Sequence, residues 1–250
     1  MSLIQHILTE STRFKSIEEV VEFLKGSGIN LDYKIDYYIG SGANGDVYKI
    51  KGKNKVIKIE KYNSEVFTTL EKMMKFDSDY IVEIFFLREY DGYTITVMEF
   101  LEDVQPYVTY TTKAFEWFLL YIEEAFQGDS KYGKPSYKNV NNLISAKRKL
   151  IKKGFDEKKL KTFFKKFGGG ADITLRGLIS IIFHFYHQIN AEEKNEFLDD
   201  CINNEQLIKT LCDAVREMAE VGIFHGDIHI DNVLYDGKTG NFKLIDPFKI

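Results

Sequence analysis

IGSGANGDVYKIKGKNKVIKI, residues 39–59, is the stretch on which the fold turns. Gly40, Gly42 and Gly45 punctuate it with G-x-G-x-x-G spacing. In a dinucleotide-binding fold such a loop runs from a strand into a helix and opens a βαβ unit. Here it runs into DVYKIK, a second alternating strand, then through a GKN hairpin tip at 52–54 into a third strand. The glycines therefore sit at a hairpin tip, where the missing Cβ lets backbone approach a phosphate closely. Taken alone, the pattern reads as an ordinary glycine-rich hairpin.

Working outward, DYYIG, DVYKIK, KVIKIEKY, YIVEIFFLRE and YTITVMEF read as five strands between about Ile35 and Phe100. Residues 64–75 interrupt them with Phe67, Leu70 and Met74 at helical spacing. Upstream, residues 16–25 form an amphipathic helix with a capping-box pair, Ser16 and Glu19, and Gly26 as its stop. After Leu101 the pattern is helical almost to residue 221, with strongly apolar stretches at 113–127 and 172–189 and a one-faced helix at 205–221. Two short strands, NVLYD and NFKLID, follow around a DGKTG turn. The expected class is α+β: an N-terminal helical extension at 1–34, a sheet-rich lobe at 35–101 and a helical lobe at 102–250.

Composition sets the outer limits. The 250 residues are 44% hydrophobic and 29% charged, enough to fill a core and too apolar for a disordered chain. The longest nearly apolar run, Leu178–Tyr186, is interrupted by His184 and falls far short of a membrane span. No secretory signal is visible, and two cysteines cannot build a disulfide framework. The expected compartment is the cytoplasm, or the host cytosol for a secreted bacterial effector or a viral protein. The net charge of −4 hides an asymmetry. Between Lys147 and Lys166 ten basic residues face two acidic ones, a net of +8, so the remainder carries −12. That segment reads either as a solvated helix face or as a patch for an anionic partner. Its modest aromatic interleaving argues against nucleic acid.

Three groups of residues carry chemistry. Lys58 lies in Lys55-Val56-Ile57-Lys58-Ile59, thirteen residues past Gly45, where an ammonium can reach phosphates under the glycine loop. HGDIHIDNVL, residues 225–234, follows a helix and sets Asp227 and Asn232 five apart. Asp246 comes fourteen residues after Asn232, at the end of NFKLID. One carboxylate can take a hydroxyl proton while an amide and a second carboxylate hold Mg²⁺, a cation that prefers oxygen ligands.

In this order and on these elements, the motifs resemble the protein-kinase-like superfamily, which includes the aminoglycoside and choline phosphotransferases. The similarity covers residues 35–101 and 205–248. It implies a two-lobed fold, ATP and Mg²⁺ as cofactors, and transfer of a phosphoryl group to a hydroxyl. By the resemblance, Gly40, Ser41, Gly42, Ala43, Asn44, Gly45 and Val47 would cover the nucleotide and Lys58 would contact its phosphates. Met98, Glu99 and Leu101 would form the adenine-binding hinge. Asp227 would be the catalytic base, and Asn232 and Asp246 the metal ligands. His229 stands where protein kinases usually carry lysine and is assigned to the transferred phosphoryl group. Lys58 also needs a carboxylate partner. Glu65 is preferred over Glu71, and six residues of separation put the two on different helix faces.

Departures divide the family. HGDxHxxN is similar to the small-molecule kinases, whereas the glycine loop and VMEFLED are similar to protein kinases. Asp246 is followed by Pro247 and Phe248 rather than Phe-Gly, so no activation segment of the family's kind is expected, and residues 102–204 exceed what the family usually places there. The expected activity is a protein Ser/Thr kinase, with a small-molecule kinase as the alternative and an inactive pseudokinase as a further one. A metal-dependent hydrolase built on His225, Asp227, His229 and Asp231 competes, but it leaves the glycine loop, Lys58 and Asp246 without a role.

Overall fold

A computed structural model describes residues 14–29, 34–41, 45–126, 136, 138, 140–168, 172–226 and 228–245. The chain is α+β and divides into two compact units, residues 1–77 with 82–100, and residues 78–81 with 101–248.

The first unit is built on a five-stranded antiparallel sheet. Its strands are β1 (Ile35–Ser41), β2 (Gly45–Ile50), β3 (Lys55–Lys61), β4 (Ile84–Tyr90) and β5 (Tyr93–Glu99), in the order β1-β2-β3-β5-β4. Asp91 and Gly92 join β4 to β5 with φ of 51° and 74°, the left-handed pair that a two-residue hairpin of matching twist requires. Helix α1 (Ile17–Gly26) starts at Ser16, whose side chain accepts the Glu19 N–H. Its buried Val20 and Leu24 join Tyr48, Ile50, Ile57, Ile59, Ile95 and Val97 in one core. The helix expected as a separate extension is thus part of the sheet unit, covering the face that the alternate residues of β2, β3 and β5 present. Helix α2 (Ser64–Met74) packs on β4 and buries Val66, Leu70 and Met73. The expected stripe of Phe67, Leu70 and Met74 is offset by one position, and Met74 is 43% exposed. Both triplets have helical spacing, and tertiary packing selects between them.

The second unit holds α3 (Lys113–Leu120), α4 (Ile122–Phe126), α5 (Leu143–Lys152), α6 (Glu157–Phe167), α7 (Asp172–Phe185), α8 (Glu193–Asn203) and α9 (Glu205–Glu220). Its small sheet is β6 (Glu102–Asp103), β7 (Val233–Asp236) and β8 (Asn241–Leu244), paired in that order. The run read as one helix at 113–127 breaks at Tyr121, and the one read at 172–189 ends at Phe185 in a 3-10 turn, Tyr186–Gln188. As expected, α7 is buried, through Leu175, Leu178, Ile179, Ile181, Ile182 and Phe185. Phe118 and Phe185 both meet Phe197 edge-on, with centroids 5.5 and 5.7 Å away. A Cβ on Gly177 would lie 2.5 Å from the Phe126 ring, so only glycine lets α4 and α7 approach this closely.

Buried Asp200 fixes the start of α3. Its two oxygens accept the backbone N–H and hydroxyl groups of both Thr111 and Thr112, at 2.7–3.3 Å. Thr112 is the cap of that helix. Tyr80 and Ile81, read as the start of the fourth strand, instead belong with residues 78 and 79 to the second unit. Tyr80 accepts the Leu244 N–H at 2.9 Å, and Ile81 bridges Leu244 in parallel. Both cysteines are buried and unpaired. Among the described residues no helix is long and apolar enough to cross a membrane.

Candidate functional site

The first unit gathers several of the expected residues on one face of its sheet. Strand pairing sets Val47 opposite Lys58 and Gly45 opposite Glu60. On the other side of β3, Thr96 lies opposite Lys58, Thr94 opposite Glu60 and Met98 opposite Val56. Side chains alternate along a strand, so Val47, Val56, Lys58, Glu60, Thr94, Thr96 and Met98 share the face turned away from the α1 core. Lys58 and Glu60 are only 6% and 4% exposed, and the ammonium lies 3.1 Å from the carboxylate. One partner of Lys58 is therefore on its own strand, two residues on. Glu65 and Glu71 both lie exposed on α2. Glu65 belongs to the first turn, where its charge complements the helix N-terminus.

Two further observations bear on what this face can hold. The hydroxyls of Thr94 and Thr96 are buried with no hydrogen-bond partner among the described residues. A buried hydroxyl left unpaired costs about 1–3 kcal/mol, so a polar ligand or water beside Lys58 would offset that cost. A Cβ on Gly45 would lie 2.4 Å from the Ile59 carbonyl and 2.6 Å from Glu60 Cβ, so its glycine is demanded by the contact with β3. A Cβ on Gly40 meets nothing within 4 Å. Ser41 ends β1 opposite Asp46, while Gly42, Ala43 and Asn44 lie outside the described residues. Glu99 is engaged with the approach to β4: its backbone N–H donates to Glu83 and its carboxylate accepts the Glu83 N–H.

In the second unit, the loop that follows α9 is held from two directions. Glu123 of α4, 3% exposed, accepts the His225 N–H at 2.6 Å and the Gly226 N–H at 2.8 Å, one on each oxygen. The His225 ring is buried, and its Nε2 lies 2.7 Å from the Ile245 carbonyl. A carbonyl only accepts, so that nitrogen carries the proton. The backbone N–H of Ile245 in turn donates to the Asn232 carbonyl at 3.0 Å. Pairing of β7 with β8, Val233 opposite Leu244, extends into this contact. The residue preceding Asp246 is thus pinned at both ends by residues flanking Asp227. Asp227 and Asp246 themselves lie outside the described residues.

His229 is half-buried, with Nδ1 3.5 Å from an Asp231 carboxylate that is 79% exposed. Its neighbour Ile230 starts a single 3-10 turn, Ile230–Asn232, closed by the Asn232 N–H on the His229 carbonyl. His184 packs edge-on against Tyr121, with centroids 4.7 Å apart, and His187 is exposed. Among the described residues no cluster of three or more His, Cys, Asp or Glu is arranged to hold a metal. An Asn–Asp pair with nucleotide oxygens suits Mg²⁺, which needs few protein ligands. Of the two expected ligands, Asn232 lies in the described 3-10 turn and Asp246 outside the described residues.

Sequence reasoning missed Glu60 and Glu123. Alternation along β3 was the available signal for Glu60, since residues two apart share a face. Glu123 is 102 residues from His225, and no local pattern couples them.

No protein-family model and no curated protein matches this chain.

Proposed function

We propose that the chain is an ATP-dependent phosphotransferase of the protein-kinase-like kind, moving the γ-phosphoryl group of Mg-ATP to a hydroxyl acceptor. The observation that carries this reading is the double anchoring of Ile245. Its N–H on Asn232 and its carbonyl on His225 hold the approach to Asp246 against the loop bearing Asp227 and Asn232. Phosphoryl transfer demands such an arrangement, because positioning and electrostatics supply most of its rate. A hydrolase centred on His225 fits less well, since Nε2 is committed to a backbone carbonyl.

The residues take these roles. Lys58 binds phosphate oxygens, and Glu60 fixes its direction, the part the family resemblance gives to Glu65. Val47, Val56 and Met98 offer an apolar surface on the same sheet face for a base. Asp227 orients the acceptor hydroxyl and receives its proton, while Asn232 and Asp246 would hold Mg²⁺, which would neutralise charge on the phosphate oxygens. His229 lies within the same loop and balances charge on the transferred group.

The favoured acceptor is a protein Ser/Thr hydroxyl. Arg148, Lys149, Lys152, Lys158, Lys161 and Lys165 are exposed on and around α5 and α6, a surface suited to an acidic polypeptide. Two lysines of that segment are already paired, Lys159 with Asp199 and Lys166 with Glu205, both at 2.5 Å. One observation favours a small-molecule acceptor as the second reading. A pocket of about 360 Å³, lined by Trp117, Leu120, Tyr121, Glu124, Phe185 and Gln188, lies in the same unit as Asp227 and is the size of a small-ligand site.

The test incubates γ-labelled ATP with the protein, an acidic-peptide panel and a panel of small alcohols. Label is expected in peptides from the parent and in nothing from Lys58→Ala or Asp227→Ala. Label only in small alcohols would move the acceptor to the second reading, and transfer surviving both substitutions would refute the assignment. Peptide transfer should also fall steeply as salt rises if the basic surface docks the acceptor.

A further inference from the structure

We infer that Glu123 is a positioning residue for phosphoryl transfer, holding the backbone that leads into Asp227 at the spacing the reaction needs. The inference rests on the phosphotransferase reading above and adds to it a residue from a helix far away in the chain.

The geometry is specific. The two carboxylate oxygens take consecutive backbone N–H groups, those of His225 and Gly226, and the next residue is Asp227. Charge-assisted bonds of this kind are short and strong, and the carboxylate that accepts them is buried, at 3% exposure. A carboxylate bridging two successive peptides restrains both the position and the tilt of the chain. Gly226, at φ 78°, is in the left-handed region, so the chain turns sharply immediately after the clamp. Glu123 thus grips the two residues that immediately precede Asp227 in the chain.

The clamp reaches further than Asp227. His225 carries the ring that donates to the Ile245 carbonyl, one residue before Asp246. Fixing the His225 backbone therefore fixes the ring from which the approach to the metal-binding aspartate hangs. Glu123 thus restrains the base-bearing loop directly and the approach to Asp246 through His225.

Glu123 is itself anchored. Helix α4 follows α3 after the single residue Tyr121, and α3 starts on the Thr111–Thr112 pair that Asp200 of α8 grips with four hydrogen bonds. Gly177 lets α7 close on Phe126 at the other end of α4. Helices α3, α4, α7 and α8 thus serve together as the rigid support of the catalytic loop.

The experiment uses the full chain and compares Glu123→Gln and Glu123→Asp with the parent. The Gln amide keeps the shape but turns an N–H₂ toward a backbone donor. A loop displaced by about 1 Å costs on the order of a hundredfold in rate. The expected result for Glu123→Gln is a kcat lower by about that factor with KM for ATP unmoved, and partial recovery in Glu123→Asp. Hydrogen exchange of the peptide containing residues 225 and 226 should accelerate by roughly tenfold to a hundredfold, the worth of a charged hydrogen bond. A cavity variant on α1, Leu24→Ala, sets the baseline for simple destabilisation: its Tm falls while the rate per folded molecule holds. Unchanged exchange at 225–226, unchanged kcat in Glu123→Gln, or an equal kcat loss in Leu24→Ala would each overturn the positioning role. A parent that transfers no phosphoryl group refutes the transferase reading instead, so the two failures are distinguishable.

Discussion

Removing one partner of the Lys58–Glu60 pair should cost far more than removing both. The ammonium and carboxylate are 3.1 Å apart, with side chains 7% and 5% exposed. At an effective dielectric near 20, their attraction is about 5 kcal/mol. Taking each ion out of water costs several kcal/mol, so the pair as a whole contributes close to nothing. Glu60→Ala leaves the ammonium buried without this partner, and Lys58→Ala does the same to the carboxylate. Each should cost about 3–5 kcal/mol. The double substitution Lys58→Met with Glu60→Leu should sit within about 1 kcal/mol of the parent or above it. The measurement is urea denaturation followed by far-UV circular dichroism, with hydrogen exchange of β3 read beside it. The single tryptophan, Trp117, lies in the other unit and would not report on this sheet. The double variant should also lose ATP binding, which would give the pair a functional reason to persist. Additive costs in the double variant, or a Glu60→Ala penalty under about 1 kcal/mol, would refute the reasoning.

Other perturbations follow from the packing. Gly45→Ala drives a Cβ to within 2.4 Å of the Ile59 carbonyl and should destabilise the β2–β3 pairing by about 1–3 kcal/mol, read as a lower Tm; an unchanged Tm would contradict the close approach. Asp200→Asn replaces one acceptor of the α3 cap with a donor facing N–H groups and should cost about 2–3 kcal/mol in denaturant titration. Desolvation raises the Asp236 pKa, but hydrogen bonds from the Lys238 N–H and from Thr239, with the nearby Lys243 charge, outweigh it and leave the carboxyl below its usual range. Its contribution is therefore present above the ordinary carboxylate pKa and is lost as pH falls through the lowered value. Asp236→Asn should flatten the acid limb of the Tm–pH profile, and an unaltered limb would show that other groups set it.

Much of the fold was legible because its signals are local. Alternation marked β2, β3 and β5, and cap residues marked both ends of α1. What was misread depends on partners distant in sequence. Tyr80–Val82 is an apolar, β-rich run, and periodicity cannot say that Tyr80 and Ile81 pair with Leu244 while β4 begins at Ile84. Phe67 and Met74 lost their expected place to Val66 and Met73 because both stripes fit a helix and the sheet decides. The break at Tyr121 carries no glycine or proline to announce it. In the site, Lys58 and the 225–232 loop stood out as motifs, whereas the groups now seen to hold them, Glu60 and Glu123, did not. The family resemblance implies a carboxylate on the helix, Glu65 or Glu71, whereas Glu60 lies two places along the strand from Lys58 and 3.1 Å from its ammonium.

Single-turnover transfer of the γ-phosphoryl group from Mg-ATP, with nucleotide binding measured on the same samples, tests the proposed phosphotransferase activity most directly. Transfer by the parent is expected, with loss of transfer and retained ATP binding in Asp227→Asn. A parent that binds no ATP, or an Asp227→Asn variant that transfers at the parent's rate, would contradict that activity.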